Sequence, residues 1–209
     1  MSQNEKRRQK ALLKKKRKDK NRKSRKSEML DDIRSSKSII KNARVLPVHE
    51  CLIYPQWKEE GLATIVISRR QTDGKLVFGT FMVDIFCLGL KNTFCNANIT
   101  LDEYENSFKE KIYSQTSYIE CNIDLAHQII YGAIDFAGKL GFEPQKDFKL
   151  SRCILEERSE KHSSAHLEFG KDGKPFYIAG PNDNAEHIIR KLSMKIGDGN
   201  FNFTTPMGM

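Results

Sequence analysis

The spacing of apolar residues changes character several times along this chain. Glu5–Lys26 contains no Gly or Pro and only Ala11, Leu12 and Leu13 as apolar positions, so it has almost nothing to bury. Ser27–Ala43 carries Met29, Leu30, Ile33, Ile39 and Ile40, a weak helical stripe that Pro47 closes. From there the pattern turns strand-like. Glu50–Tyr54 reads as a short strand and Leu62–Arg70, rich in β-branched residues, as a longer one. Thr72-Asp73-Gly74-Lys75 is an Asp-Gly hairpin turn, and Leu76–Leu90 returns as one long apolar strand expected at the centre of a sheet.

Two helices are predicted next. Thr100-Leu101-Asp102-Glu103 is a capping box: the Thr hydroxyl accepts from the backbone of Glu103, whose carboxylate reaches back. That helix runs to about Ser114. The second spans Ile123–Leu140, with Ala126, Ile130, Ala133, Ala137 and Leu140 recurring at a spacing of three or four, and Gly141 as its left-handed stop. Phe148–Leu155 and Ala165–Phe169 read as strands. Lys171-Asp172-Gly173-Lys174 is a second Asp-Gly turn leading into a strand at Phe176–Ala179. Asp183, with Glu186 three residues on, is the expected cap of a last helix carrying Ile188, Ile189 and Leu192; Gly197–Met209 reads as a loose tail.

This order predicts an α+β fold: a mainly antiparallel sheet built from hairpins and covered by about three helices. The expected organisation is a basic arm (1–28), a connecting segment (29–47), a globular domain (48–196) and a tail (197–209).

Charge changes the picture more than any motif. Residues 1–28 hold fourteen Lys and Arg against three acids, whereas the other 181 residues hold twenty-two against twenty-four. The net charge of +9 therefore belongs to the arm, and the body is slightly acidic. A block of like charge with few apolar residues is expected to be disordered alone and to become helical or extended on a polyanion. Arg7, Arg8, Lys10, Lys14, Lys15, Lys16, Arg17, Lys18, Lys20, Arg22, Lys23, Arg25 and Lys26 are the expected phosphate contacts. The partner so predicted is RNA or another polyanion, the ribosome included. The alternative is an enzyme that processes nucleic acid and uses the arm as a substrate tether. A third reading makes the arm an address, with Lys14–Lys18 resembling a nuclear import signal, or a contact for anionic lipid.

No run reaches the roughly 18 apolar residues of a membrane span, and the basic N-terminus lacks the apolar core of a signal peptide. Five scattered cysteines (51, 87, 95, 121 and 153) point to reduced thiols, expected as small core residues, and to a cytoplasmic location.

Chemistry is thin. Asp124, His127, Tyr131 and Asp135 share one face of the second helix, where a histidine beside a carboxylate can act as general base. Asp84, with Asp147, Glu168, Asp172 and Asp183, is a carboxylate at a strand end or turn of the kind a metal-dependent nuclease gathers, and Asp84, His127 and Asp135 are the candidate catalytic residues. The strand–hairpin–strand at Leu62–Leu90 resembles the opening of a ribonuclease H-like sheet, but Leu62–Ser68 lacks the acid that such a strand carries. His162 and His166 have no thiol pair nearby, and no metal or cofactor is expected. Phosphate loops, dinucleotide fingerprints and nucleophile elbows are absent. Phe169, Lys171, Phe176 and Tyr177 place aromatics and a cation on one hairpin, a surface that can stack bases.

Three runs carry a resemblance: Gly61–Arg70, Val83–Asn92 and Phe169–Asp183. Over about Pro47–Leu192 the chain is similar to a group of bacterial proteins that often begin with a lysine-rich stretch and have no assigned activity. The resemblance implies a bacterial, cytosolic protein with one compact domain, and carries over no functional residue.

Overall fold

In the computed structural model, which describes residues 18, 22, 35–114, 116–158 and 167–205, β1 (Val48–Ile53) starts just after Pro47, whose carbonyl accepts from Arg70 at the end of the neighbouring strand. The chain then runs as a meander: β2 (Leu62–Arg70), β3 (Leu76–Asp84) and β4 (Gly89–Ile99). All pairings in this sheet are antiparallel, and its order is β4-β3-β2-β1-β5, with β5 (Ile119–Glu120) added beside β1. A short helix, α1 (Trp57–Glu60), fills the β1–β2 connection. The α+β class expected from the sequence is what the chain adopts.

Crossing from the β4 edge to the β5 edge takes a helix over one face of the sheet. This is α2, a continuous stretch of Leu101–Glu103, a π-helical segment Tyr104–Lys109, and Glu110–Tyr113. The capping box forms as the sequence predicts, with Glu103 N–H donating to Thr100 Oγ1 and Thr100 N–H to Glu103 Oε2. Tyr104 and Phe108 pack against Leu76 and Phe78 of β3, with 4.3 Å between the Phe78 and Phe108 ring centres. Gly79, next along β3, faces Ile154 on the other side of the sheet.

That second face is crossed by α3 (Ile123–Lys139), which touches β1 through β4. Asn122 caps it, and Ala126, Ile129, Ile130, Ala133 and Ala137 bury its stripe. Gly89 lets α3 approach this closely. Its φ is +69°, and a Cβ there would lie 2.7 Å from Ala137 Cβ and 2.9 Å from the Ala133 carbonyl. Gly89→Ala is therefore expected to cost about 2–4 kcal/mol, combining overpacking with a left-handed backbone, read as a lower denaturation midpoint with an unchanged slope.

A smaller sheet pairs β6 (Phe176–Ile178) with β7 (Asn202–Thr204) in parallel. The helix between them, α5 (Ala185–Ile196), buries Leu192 in a cluster with Cys87, Leu140, Tyr177 and Phe201. The segment read as a loose tail thus contains β7 and the buried Phe201.

Four further features differ from the sequence reading. Leu76–Leu90 is two strands, not one: Asp84 turns the chain by accepting from the backbone N–H of Phe86 and Cys87, both at 2.9 Å. The apolar run Ile85–Leu88 reads as strand because this turn is covered, with Gly170 N–H bonded to the Ile85 carbonyl and Phe176 N–H to the Phe86 carbonyl. Phe148–Leu155 is helical, as α4 (Phe148–Ser151) against β4 and a 3-10 turn (Arg152–Ile154) against β2 and β3. Leu167–Phe169 is not strand, and Ala165 lies outside the described residues. The last helix is capped by Asn184 rather than Asp183.

The chain divides into two units, Met1–Ile39 and Ile40–Met209. Of the first, Lys18, Arg22 and residues 35–39 are described, all helical. The second contains both sheets and the three candidate catalytic residues. Among the described residues no helix is long and apolar enough to cross a membrane.

Candidate functional site

The three carboxylate and imidazole candidates stand in separate surroundings. Asp84 is a turn cap, buried, with burial pushing its carboxyl upward against the bonds from Cys87 and Phe86. His127 is 1% exposed, and its Nε2 accepts from Glu156 N–H at 3.1 Å, which fixes that nitrogen as unprotonated. Asp135, about 12 Å further along α3 by helical rise, is an exposed partner of Arg158.

The polar line seen in the sequence nonetheless has one job. Tyr131 OH donates to the Glu156 carbonyl, and Arg158 lies over the Tyr131 ring at 5.7 Å. His127, Tyr131 and Asp135 are therefore a strip on α3 that docks residues Glu156–Arg158. His127→Leu is expected to leave the Glu156 N–H without its acceptor and to cost about 1–3 kcal/mol, visible as a lower midpoint in urea.

The same segment is held from its other side. Arg69, 1% exposed on β2, donates to the carbonyls of Ile154 (2.7 Å), Leu46 (2.7 Å) and Arg44 (3.1 Å) and to Glu156 Oε1 (2.7 Å). Arg44 adds bonds to the Leu155 carbonyl and Glu157.

A cluster that sequence spacing does not reveal lies under α2. One ligand-type atom each from His49, Glu50 and Glu105 falls within 4.8 Å of the others. Two irregularities converge here: a register shift in β1 between Val48 and Glu50, and the π-helical segment that carries Glu105. Lys109 already supplies the cation, with Nζ 3.1 Å from Glu50 and 2.9 Å from Glu105. Burial opposes its charge, but the two carboxylates outweigh it and push the ammonium upward. The cluster is an ion network holding α2 to β1.

A second ion pair joins the two sheets. Lys91 Nζ on β4 lies 2.7 Å from Asp183 Oδ2, which also accepts from Gly180 N–H. Burial works against the Asp183 charge, and the bonds from Lys91 and Gly180 overcome it, holding the carboxyl below its ordinary range. A folded-state pKa below the unfolded one contributes stability that is complete above the unfolded value and disappears as pH falls through the folded value. Stability should therefore drop below about pH 4, and Asp183→Asn should flatten that part of the curve while lowering the neutral plateau. Urea midpoints from pH 2 to 7 test this.

A cationic groove lies on the outer face of α5. His187, Arg190 and Met194 recur at three and four residues, and Met194 is 82% exposed. With Leu140, Gly141, Lys191 and Lys195 they line an open cavity of 660 Å³ that carries no acid. Lys191 Nζ sits 4.9 Å over the Phe142 ring, which fixes where this cation stands beside the groove. A further 240 Å³ hollow, lined by Asn184, Glu186, His187 and Arg190, extends the groove towards the helix start. By contrast, the 470 Å³ cavity by Trp57 sets Glu59, Glu168 and Asp172 against Lys58 and Lys171.

The aromatics of the second Asp-Gly turn are engaged internally. Tyr177 is fully buried, Phe169 stacks on Phe136, and Phe176 lies under Lys171 at 5.1 Å. The turn itself forms, with Asp172 and Gly173 at φ of +53° and +76°. Of the thirteen arm residues expected to meet phosphate, Lys18 and Arg22 are described, both helical and exposed; the others, like His162 and His166, lie outside the described residues. Compared with protein-family models, curated proteins and solved structures, the chain finds no match.

Proposed function

We propose that this chain binds nucleic acid, and RNA in particular, with the basic arm as its main phosphate contact and the α5 groove as a second contact on the body. The observation that carries this reading is the segregation of charge: fourteen Lys and Arg in residues 1–28 attached to a body with twenty-two against twenty-four. A solubilising function does not call for such a separation, whereas a polyanion rewards it through counterion release. The groove adds what the arm lacks. Its cations and the apolar surface of Leu140 and Met194 suit a backbone phosphate beside an unpaired base. Lysine-rich extensions follow irregular folded RNA as readily as duplex, which is why RNA is preferred to DNA.

Fluorescence anisotropy with a labelled structured RNA tests the groove. The triple variant Arg190→Ala, Lys191→Ala, Lys195→Ala should weaken binding and leave Tm within a few degrees. It should also lower the slope of log K against log salt by about 0.7–0.9 for each phosphate the groove no longer neutralises. Unchanged affinity and slope would remove the groove from the interface. Equal competition by duplex DNA of the same length would remove the preference for RNA.

A further inference from the structure

Cys51 and Cys121 are 70 residues apart in the chain, yet their Sγ atoms lie 3.3 Å apart. The register explains why. In the antiparallel β1–β5 pair Leu52 faces Glu120 and Ile53 faces Ile119, so Cys51 comes directly opposite Cys121. The Cys121 N–H donates to the Cys51 carbonyl at 2.9 Å, continuing the ladder by one residue. Directly paired residues bonded in this way have Cα atoms about 5.5 Å apart. That separation falls within the range a disulfide spans. Both cysteines are free thiols.

We propose that Cys51 and Cys121 are a reversible disulfide site, closed by exchange with a small-molecule disulfide. The two thiols have different roles, set by their positions. Cys51 is 6% exposed, whereas Cys121 is half-buried and stands immediately before Asn122, the cap of α3. Reagent therefore reaches Cys121 first. The hydrogen bond from Cys51 draws the Cys121 thiol downward, and the start of a helix also favours a thiolate. The same bond, with burial, pushes Cys51 upward and keeps it protonated until its partner has reacted.

The chemistry closes without a metal or oxygen. The Cys121 thiolate attacks one sulfur of RS–SR, an S–S bond breaks, and RS⁻ leaves and takes up a proton. Cys51 then loses its proton, and its sulfur displaces the second RS⁻ from the mixed disulfide on Cys121. Two protein thiols are oxidised and one small disulfide is reduced to two thiols. Cys87 is a poor competitor, since burial pushes its thiol up to about 12. The product would lock β5, an edge strand of two residues, to β1 at the entrance to α3.

The test uses the full-length protein in buffers of graded reduced and oxidised glutathione. Free thiols are then alkylated, and the protein is digested without reduction for peptide mapping. The expected result is a Cys51–Cys121 linked peptide that disappears with dithiothreitol, together with a Tm that rises on oxidation and falls back on reduction. In Cys51→Ser, a glutathione adduct should accumulate on Cys121; in Cys121→Ser, no adduct should form on Cys51 over the same time. Alkylation of both residues in the oxidised sample, or a cross-link from either to another cysteine, would overturn the proposal. The wild-type map decides the matter even if a serine variant folds poorly.

Discussion

Deleting residues 1–26 should abolish the proposed RNA binding at physiological salt and leave the Tm of the body almost unchanged. The deletion removes fourteen Lys and Arg and turns a chain of net charge +9 into a slightly acidic one, which a polyanion repels. If about eight of those cations meet phosphates, the full chain drops on the order of three to five decades in affinity between 50 and 200 mM salt. The truncated chain should show neither the affinity nor the steep slope. Its stability should hold because the unit from Ile40 to Met209 contains both sheets and every ion pair described above. Anisotropy across a salt series, with a thermal melt of each protein, gives both readings. A truncated chain that binds RNA as tightly as the whole chain would sink the proposed function.

Arg69→Ala should be the most damaging single substitution in the body. The guanidinium ties β2 at once to the segment before β1 and to the segment after α4, through three carbonyls and Glu156. Its removal leaves those carbonyls without their donor and opens a large void at a site 1% exposed. The ion pair contributes the smaller share, because the Glu156 side chain is 36% exposed and screened by water. The expected cost is about 3–5 kcal/mol. For a body of this size that is a fall in Tm on the order of 10 °C. Arg69→Lys should recover less than half of it, since an ammonium cannot reproduce a planar fork of donors. Glu156→Gln should cost much less than either. A melt of Arg69→Ala within a few degrees of wild type would show that the segment after α4 is held by packing alone.

Both expectations bear on what can be read from a chain without its coordinates. The Asp-Gly turns, the Thr100 capping box, the α3 stripe and its stop at Gly141 were legible because each is local: a few neighbouring residues settle the backbone by sterics, a cap or a period. Strand β4 was not legible. Lys91, Asn92, Asn96 and Asn98 give it the look of a loop, and it is strand because β3 offers it a ladder. The turn at Ile85–Leu88 was hidden for the opposite reason. Its residues are apolar because the 170s segment covers them, so hydrophobicity there reports burial rather than extension.

The candidate sites divide in the same way. Charge segregation is additive along the chain, so the basic composition of residues 1–28 is a property of the sequence alone. Pairings across long separations are not additive. Glu50 with Glu105 and Lys109, Lys91 with Asp183, Arg69 with Ile154 and Glu156, and Cys51 with Cys121 are each joined by a strand register or a helix crossing. No local pattern encodes these meetings. By itself the sequence determined the α+β class, the local turns and the segregation of charge. Only the tertiary structure decided which distant side chains meet, because burial and register are set by the whole sheet and its two covering layers.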